Sequence, residues 1–112
     1  MIQDCIFCKI ANKQLNTKII FENEEFVAFE DIEPLAPVHI LVIPKQHYES
    51  ILQIQDHNLI GKAYKIATDL AKEHNICDTG CRIVTNAGSD SGQTVFHWHI
   101  HLIGGRKLGN MA

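Results

Sequence analysis

The sequence has no surplus of positive charge, no long hydrophobic run and few prolines. Its 112 residues carry ten Lys and Arg against 13 Asp and Glu, a formal net charge of −3, whereas binding to nucleic-acid backbones needs a broad basic surface. The longest apolar runs, such as Ile40 to Ile43, are far shorter than the ~20 residues of a membrane span. We therefore expect neither a nucleic acid nor a membrane as partner.

The sequence also lacks the features typical of a secreted or multidomain protein. Met1 to Asp4 carries no positively charged n-region of a signal peptide, so we expect a cytoplasmic protein. In that compartment the four cysteines are expected to be thiols or metal ligands rather than disulfides. There is no internal repeat, low-complexity tract or linker rich in Pro, Gly or Ser, which predicts a single domain over residues 1–112.

The hydrophobic pattern predicts five strands and one long helix. From Asp56 to His74 the apolar residues fall at spacings of three and four, which predicts an amphipathic helix with Asp56 as N-cap and a stop near Asn75. Short runs of apolar and β-branched residues predict the strands, which are Thr17 to Phe21, Phe26 to Asp31, Val38 to Ile43, Arg82 to Thr85 and Val95 to Ile103. Strands, a helix and strands again indicate an antiparallel α+β domain.

Histidine, in contrast, is abundant, with seven in the chain. His97, His99 and His101 alternate with apolar residues, and alternate side chains of a strand share one face. A single such histidine is more often part of the core, but three in register would repel one another when protonated, which favours chemistry over packing. Two uses stay open, namely metal binding and nucleophilic or acid–base catalysis.

A loop rich in Gly and small polar residues, Gly88 to Thr94, runs directly into these histidines. Such backbone can direct several N–H groups at an anion. Most loops of this composition are only turns, but beside three histidines this one favours phosphate as the ligand.

The same residues resemble the histidine triad (HIT) family of nucleotide hydrolases and transferases. His97 to Ile103 has its His-x-His-x-His pattern with apolar residues between, and the similarity extends over nearly the whole chain, including Ile6 to Ile10, Ala28 to Ile32, Ala36 to Lys45 and Asn86 to Gly105. The ending Gly104 to Met111 looks like the bacterial form of the Hint branch, the purine nucleoside phosphoramidases. The resemblance implies a HIT-like fold, a five-stranded antiparallel sheet with one long and one short helix, and two such sheets paired in a homodimer.

The resemblance also implies a two-step hydrolysis of purine nucleoside 5′-phosphoramidates or acyl nucleotides. His99 would attack the α-phosphorus and form a nucleotidyl-histidine intermediate, His101 would contact the phosphoryl oxygens, and His39 would lie behind the triad and orient it. Asp31 would bind the ribose hydroxyls. Thr94 stands where many eukaryotic members have Ser; its hydroxyl can still donate, while its methyl group changes the surroundings of the leaving group.

The other residues implied by the resemblance form a phosphate loop and a base slot. The substrate-binding loop residues are Asn86, Gly92, Gln93 and Thr94, and the apolar slot consists of Ile6, Phe7, Ile10, Phe29, Ile32 and Leu41. Without the resemblance, Phe7, Phe29 and Leu41 are interpreted as ordinary core and Asp31 as a turn residue. The expected ligands are conjugates of AMP and GMP, and catalysis would require no cofactor.

Cys5 and Cys8 have the spacing of half a zinc site. Some members of the family complete such a site with the first triad histidine and with a histidine after the Pro-Lys of the third strand, which are His97 and His47 here. The expectation is a structural Zn²⁺ on these four residues, and the alternative is a pair of free thiols in an N-terminal turn. His74 is expected to interact with the end of the long helix, and Cys77 and Cys81 to be buried thiols.

Other functions stay open beside the phosphoramidase. Within the family, hydrolysis of dinucleoside polyphosphates is the alternative, against which the short chain and the Gly-Gly-Arg ending argue. Outside it, the chain could be a nucleotide-binding or interaction protein with vestigial catalysis, or a metal-binding module that uses all three triad histidines.

Overall fold

The computed structural model describes residues 4–111 and shows a five-stranded antiparallel sheet with a helix against each face. Residues 1–3, on which the expectation about a leader largely rests, and residue 112 lie outside the described residues. The fold class predicted from the sequence is confirmed.

Along the chain, a short helix is followed by three strands, a long helix and two more strands. They are α1 (Ile6–Ala11), β1 (Ile19–Glu22), β2 (Phe26–Glu30), β3 (Val38–Pro44), α2 (His57–Glu73), β4 (Cys81–Val84) and β5 (Ile100–Gly104). Two 3₁₀ turns, Ile51–Gln53 and Ser89–Ser91, lie in the connections. The strand order is β1-β2-β3-β5-β4, so β5 lies between β3 and β4.

The long helix begins and ends close to the predicted positions. Asp56 caps it by accepting a hydrogen bond from the backbone N–H of Asn58 at 3.0 Å. It ends where Asn75 takes a left-handed φ of 59°, a conformation that Asn tolerates better than most residues. The ring Nδ1 of His74 donates to the carbonyl of Leu70 at 2.9 Å, which confirms the expected contact with the helix end.

Alternation along the strands gives the sheet two apolar faces. One face packs on α2 and contributes the buried Phe26, Ala28, Ile40, Val42, Ile100 and Leu102. The opposite face packs on α1 through Val27, Phe29, Leu41 and Ile43. Each large side chain buried in this way contributes about 1.5–3 kcal/mol of transfer free energy, so the short α1 is fixed to the sheet by its apolar contacts.

The fifth strand is shorter than the predicted Val95 to Ile103. It pairs with β3 only from Ile100, opposite Val42, to Gly104, opposite Val38. Before Ile100 the backbone groups find other partners: the carbonyl of Val95 accepts from the Gln93 side chain, and the N–H of Trp98 donates to the carbonyl of Tyr48. The segment 95–99 therefore leads into the strand without being part of it.

The ends of the other strands differ from prediction by at most two residues, because pairing rather than composition decides where a strand ends. The first predicted strand, Thr17 to Phe21, is Ile19–Glu22 and has an irregularity in its pairing between Ile19 and Phe21. The third extends to Pro44, which lies opposite Phe26. The fourth begins one residue earlier than Arg82, at Cys81, and ends at Val84.

The prediction that Cys77 and Cys81 are buried is wrong, since both thiols are exposed. Cys77 lies in the turn that follows α2, and Cys81 is the first residue of the edge strand β4. Neither place is covered by the core. Within residues 4–111, neither helix has the length and apolar character needed to cross a membrane.

Candidate active site

The sheet face that carries α1 brings the triad histidines together. His101 is in β5, His39 is diagonal to it in the neighbouring β3, opposite Ile103, and His97 and His99 precede β5. The ring centroids of His99 and His101 are 4.9 Å apart and those of His39 and His101 are 5.2 Å apart. The residues that alternate with the triad histidines lie in the core on the α2 side, and they are Trp98, Ile100 and Leu102. The predicted shared face is therefore present, although only His101 of the triad is in the strand.

A backbone carbonyl fixes the tautomer of His99. Its Nδ1 lies 2.7 Å from the carbonyl oxygen of His97, and because a carbonyl can only accept, Nδ1 carries the proton. Burial lowers the pKa of His99, against smaller raising effects of this hydrogen bond and of Asp31. The neutral ring then has its lone pair on Nε2. Since every buried polar side-chain atom of residues 4–111 has a partner, the unbonded Nε2 must be open to the cleft.

A second backbone group fixes His101 in the opposite tautomer. The N–H of Leu35 donates to Nδ1 of His39 at 3.0 Å, so neutral His39 carries its proton on Nε2. That nitrogen donates to Nδ1 of His101 at 2.9 Å, which leaves the proton of His101 on its own Nε2. Burial and the neighbouring His99 and His39 lower the pKa of His101 to about 4. At neutral pH the site thus presents one lone pair and one N–H donor side by side.

The carboxylate of Asp31 lies beside this histidine pair. Its Oδ2 is 3.4 Å from Nε2 of His39, and its Oδ1 accepts from the N–H of Glu33 at 2.9 Å. Asp31, His39 and His101 are close enough to be considered as a metal site. However, the nitrogen of His39 that a metal would need carries the proton, because Leu35 occupies the other nitrogen. We therefore interpret the group as a hydrogen-bonded chain that orients His101.

A cleft of about 550 Å³ opens in front of these side chains. All the predicted base-slot residues line it: Ile6, Phe7, Ile10, Phe29, Ile32 and Leu41. So do Asp31, His39, Thr94, His99 and His101. Phe7 of α1 meets His99 edge-on, with ring centroids 5.0 Å apart and planes at 88°. The cleft is thus apolar over most of its wall and polar at the histidine end.

Sequence reasoning missed five residues that line the same cleft: Leu15, Thr17, Glu33, Leu35 and Val95. Composition gives no reason to choose them, because none carries a distinctive functional group and all lie in connecting segments of the structure. Leu35 matters most through its backbone, whose N–H fixes His39 and whose carbonyl accepts from the guanidinium of Arg106 at 2.6 Å. Arg106, two residues after the end of β5, therefore holds the loop that orients the histidine pair.

The predicted phosphate loop lies between β4 and the histidines. Gly88 and Gly92 have φ of 88° and 92°, so glycine is needed for the turn. Gln93 is buried, and its amide bonds the N–H of Gly88 and the carbonyls of Glu49 and Val95. Its side chain shapes the loop. Thr94 lines the cleft, while Asn86, Gly92 and Gln93 lie outside its lining, and their role in substrate binding remains a prediction.

The four predicted zinc ligands also meet. Their ligand atoms all lie within 4.8 Å of one another. Nδ1 of His97 is 3.2 Å from Sγ of Cys5 and 3.4 Å from Sγ of Cys8, and Nδ1 of His47 is 3.3 Å from Sγ of Cys8. His97 gives its Nε2–H to the carbonyl of Pro44 at 2.8 Å, so its Nδ1 lone pair faces the sulfurs.

This geometry argues against a single metal held by all three triad histidines. The Nδ1 of His97 is directed at the cysteines and the Nδ1 of His101 at His39, and His99 belongs to neither cluster of possible metal ligands found among residues 4–111. The three rings therefore share a face without converging on one point.

Comparisons with known proteins agree with this arrangement. A family model described as the HIT domain matches residues 12–108. An uncharacterized HIT-like protein of Rickettsia prowazekii is 43% identical, and the alignment covers 92% of this chain and 88% of that protein.

Two solved structures superpose over nearly the whole chain. A histidine triad protein from Clostridium difficile is 42% identical with a TM-score of 0.93, and a HIT family hydrolase from Clostridium thermocellum is 40% identical with a TM-score of 0.92. Each covers 98% of this chain and 97% of its own.

Proposed function

This chain belongs to the HIT domain family, and on that premise we propose that it is a nucleotide-binding hydrolase that cleaves the P–N bond of purine nucleoside 5′-phosphoramidates. Acyl nucleotides would be related substrates. The observation that carries the proposal is the pair of opposite tautomers, with the free Nε2 of His99 beside the Nε2–H of His101 at the polar end of an apolar cleft.

Hydrolysis would take two steps on His99. In the first, its Nε2 lone pair bonds to the α-phosphorus while the P–N bond breaks; the electron pair stays on the leaving nitrogen, which takes up a proton and departs as the amine. In the second, water forms a P–O bond, the bond from phosphorus to Nε2 breaks, and the nucleoside 5′-monophosphate is released. The leaving nitrogen takes its protons from solvent, and the two protons of the attacking water return to solvent in the second step, so the net products are the nucleoside 5′-monophosphate dianion and an ammonium ion.

The surroundings of the two rings suit these steps. The positive charge that develops on the His99 ring when phosphorus bonds to Nε2 faces the carbonyl of His97 through Nδ1–H. The Nε2–H of His101 would donate to a phosphoryl oxygen, where negative charge builds up. The Oδ2 of Asp31 would accept from a ribose hydroxyl, and the apolar walls would hold the base of an AMP or GMP conjugate.

The residues present fit a structural Zn²⁺ on Cys5, Cys8, His47 and His97. A tetrahedral ion with usual Zn–S and Zn–N bonds separates sulfur from nitrogen by about 3.5 Å, and the S to N distances here are 3.2 to 3.4 Å. Burial raises the pKa of Cys5, a cost that a bound cation would offset. The ion would join α1 to the segments after β3 and before β5, with no part in the chemical steps.

A second candidate within the family is the hydrolysis of dinucleoside polyphosphates, which would use the same nucleophile. The homodimer and the cytoplasmic location remain predictions. The outer edge of β4 carries no further strand among residues 4–111, so two copies paired there would extend the sheet.

The direct test is release of AMP from adenosine 5′-phosphoramidate, with diadenosine polyphosphates as competing substrates. The proposal expects turnover of the phosphoramidate at a kcat/KM at least about tenfold above that of the polyphosphates. Faster cleavage of the polyphosphates would support the second candidate. Tight AMP binding without any turnover would instead indicate a binding protein with vestigial catalysis.

The pH profile of this reaction tests the histidine pair. Protonated His101 would carry a proton on Nδ1, facing the Nε2–H of His39, and the pair would lose its hydrogen bond. Because the pKa of His99 is lowered from 6.5 and that of His101 is lowered to about 4, we expect kcat/KM to be constant from about pH 8 to 6.5 and to fall only at lower pH, as these two rings are protonated. Enzyme-free rates at each pH are the control, since acid itself cleaves P–N bonds. An acid limb with an apparent pKa of 6.5 or above would contradict this prediction.

A further inference from the structure

A second cleft adjoins the nucleotide cleft. It has a volume of about 460 Å³, and its lining includes Asp4, Glu49 and Phe96. Three residues, Ile6, Thr94 and Val95, line both clefts. His99 and His101 line only the first. The wall shared by the two clefts is therefore the place where a long substrate would pass from one to the other.

The in-line geometry of displacement at phosphorus favours this path for the leaving group. In a displacement at phosphorus, the attacking and leaving atoms lie roughly in line. With the base in the apolar slot and the phosphorus at His99, the leaving group has to project out of the nucleotide cleft. Thr94 lies at the shared wall, with a hydroxyl able to donate to the departing nitrogen.

The second cleft has the chemistry to hold a cation. Asp4 and Glu49 are exposed, and neither has an ion-pair partner within the described part of the chain. No Lys or Arg of the described residues lines this cleft. Cys5 and His47 of the candidate zinc site also line it, and a Zn²⁺ held by two thiolates and two neutral imidazoles would add no net charge. Phe96 is 47% exposed, so its ring can pack on an alkyl stem or on an organic cation. Two free carboxylates beside an exposed aromatic ring complement an amine with an apolar stem and a positive end.

We propose that this second cleft binds the leaving group and selects phosphoramidates whose amine carries a further positive charge. The inference rests on the proposed function for the reaction itself. In the substrate the nitrogen bonded to phosphorus is uncharged, and the charge that Asp4 and Glu49 recognise lies at the far end of the stem. Cleavage of the P–N bond leaves its electron pair on nitrogen, which takes a proton, so the product is a diamine that leaves from the acidic cleft.

The test compares two substrates with the same AMP half. One has a 4-aminobutyl group on the phosphoramidate nitrogen and is positively charged, and the other has a pentyl group of similar length. We expect the wild type to prefer the charged substrate about fivefold in kcat/KM at low salt, with the preference shrinking as salt screens it. In the double variant Asp4→Asn/Glu49→Gln the ratio should fall to below about twofold. The matched control is Glu73→Gln/Asp78→Asn, which removes the same charge from an exposed surface elsewhere and should keep the preference.

Binding measurements separate this inference from the proposed function. Calorimetry with the His99→Ala protein, which lacks the nucleophile, gives the affinity for both conjugates without cleavage. If the wild type fails to hydrolyse any phosphoramidate while the charged conjugate still binds more tightly through Asp4 and Glu49, the proposed function fails and the subsite stands. If the wild type shows no preference, or if the double variant keeps it, the subsite is overturned.

Discussion

Replacement of His99 by alanine is expected to lower the turnover of adenosine 5′-phosphoramidate at least about a hundredfold. The variant keeps the cleft walls, Asp31 and the pair of His39 and His101, but it has no lone pair at the position where phosphorus would be attacked. We therefore expect kcat to fall while AMP still binds. Steady-state kinetics give the first quantity and calorimetry with AMP gives the second.

The matched control is His57→Ala, which removes an exposed imidazole at the start of α2 and should leave turnover unchanged. Quenching in alkaline denaturant during turnover adds a chemical readout, because the P–N bond of a nucleotidyl adduct survives alkali but not acid, and the adduct should be trapped on the peptide that contains His99 in the wild type. A variant that keeps more than about a tenth of the activity would rule out His99 as nucleophile. An adduct found on another residue would do the same.

The sequence predicts which side chains share the site better than it predicts the backbone that holds them. Period-two alternation alone puts His99 and His101 on one face and Trp98 and Ile100 on the other, and the structure has this arrangement. The same pattern predicts a fifth strand that is too long, because the alternation continues through residues 95–99, where the chain pairs with no neighbouring strand. Pairing partners are a tertiary property that one strand does not encode.

The tautomers of the histidines could not be predicted at all. They depend on the carbonyl of His97 and on the N–H of Leu35, and neither group has a signature in the sequence. Leu35 lies in a loop, 66 positions before His101 in the chain, and it is held there by Arg106. The chemical difference between two identical side chains is thus set by main-chain contacts that only the fold brings about.

The second prediction with a large expected effect concerns the proposed zinc site. Protein purified without a histidine tag is expected to contain about one equivalent of zinc, whereas Cys8→Ser should contain less than a tenth of an equivalent. Cys8 is 1% exposed and contacts both His47 and His97, so its loss would leave only three ligands in a buried site. The ion would join α1 to the segments after β3 and before β5. Because its removal breaks this connection, we expect the Tm to fall by about 10 °C or more.

The control for this experiment is Cys77→Ser, since Cys77 is an exposed thiol in the turn after α2. It should keep both the zinc and the Tm of the wild type. Chelator should lower the Tm of the wild type and of Cys77→Ser but not that of Cys8→Ser, while kcat below the unfolding temperature stays the same, because His99 reaches phosphorus without a metal. Wild-type protein with less than a tenth of an equivalent after growth in zinc-supplemented medium would show that Cys5 and Cys8 are free thiols. In that case their contacts with His97 would be hydrogen bonds from S–H groups to the one lone pair on Nδ1, which both sulfurs approach within 3.4 Å.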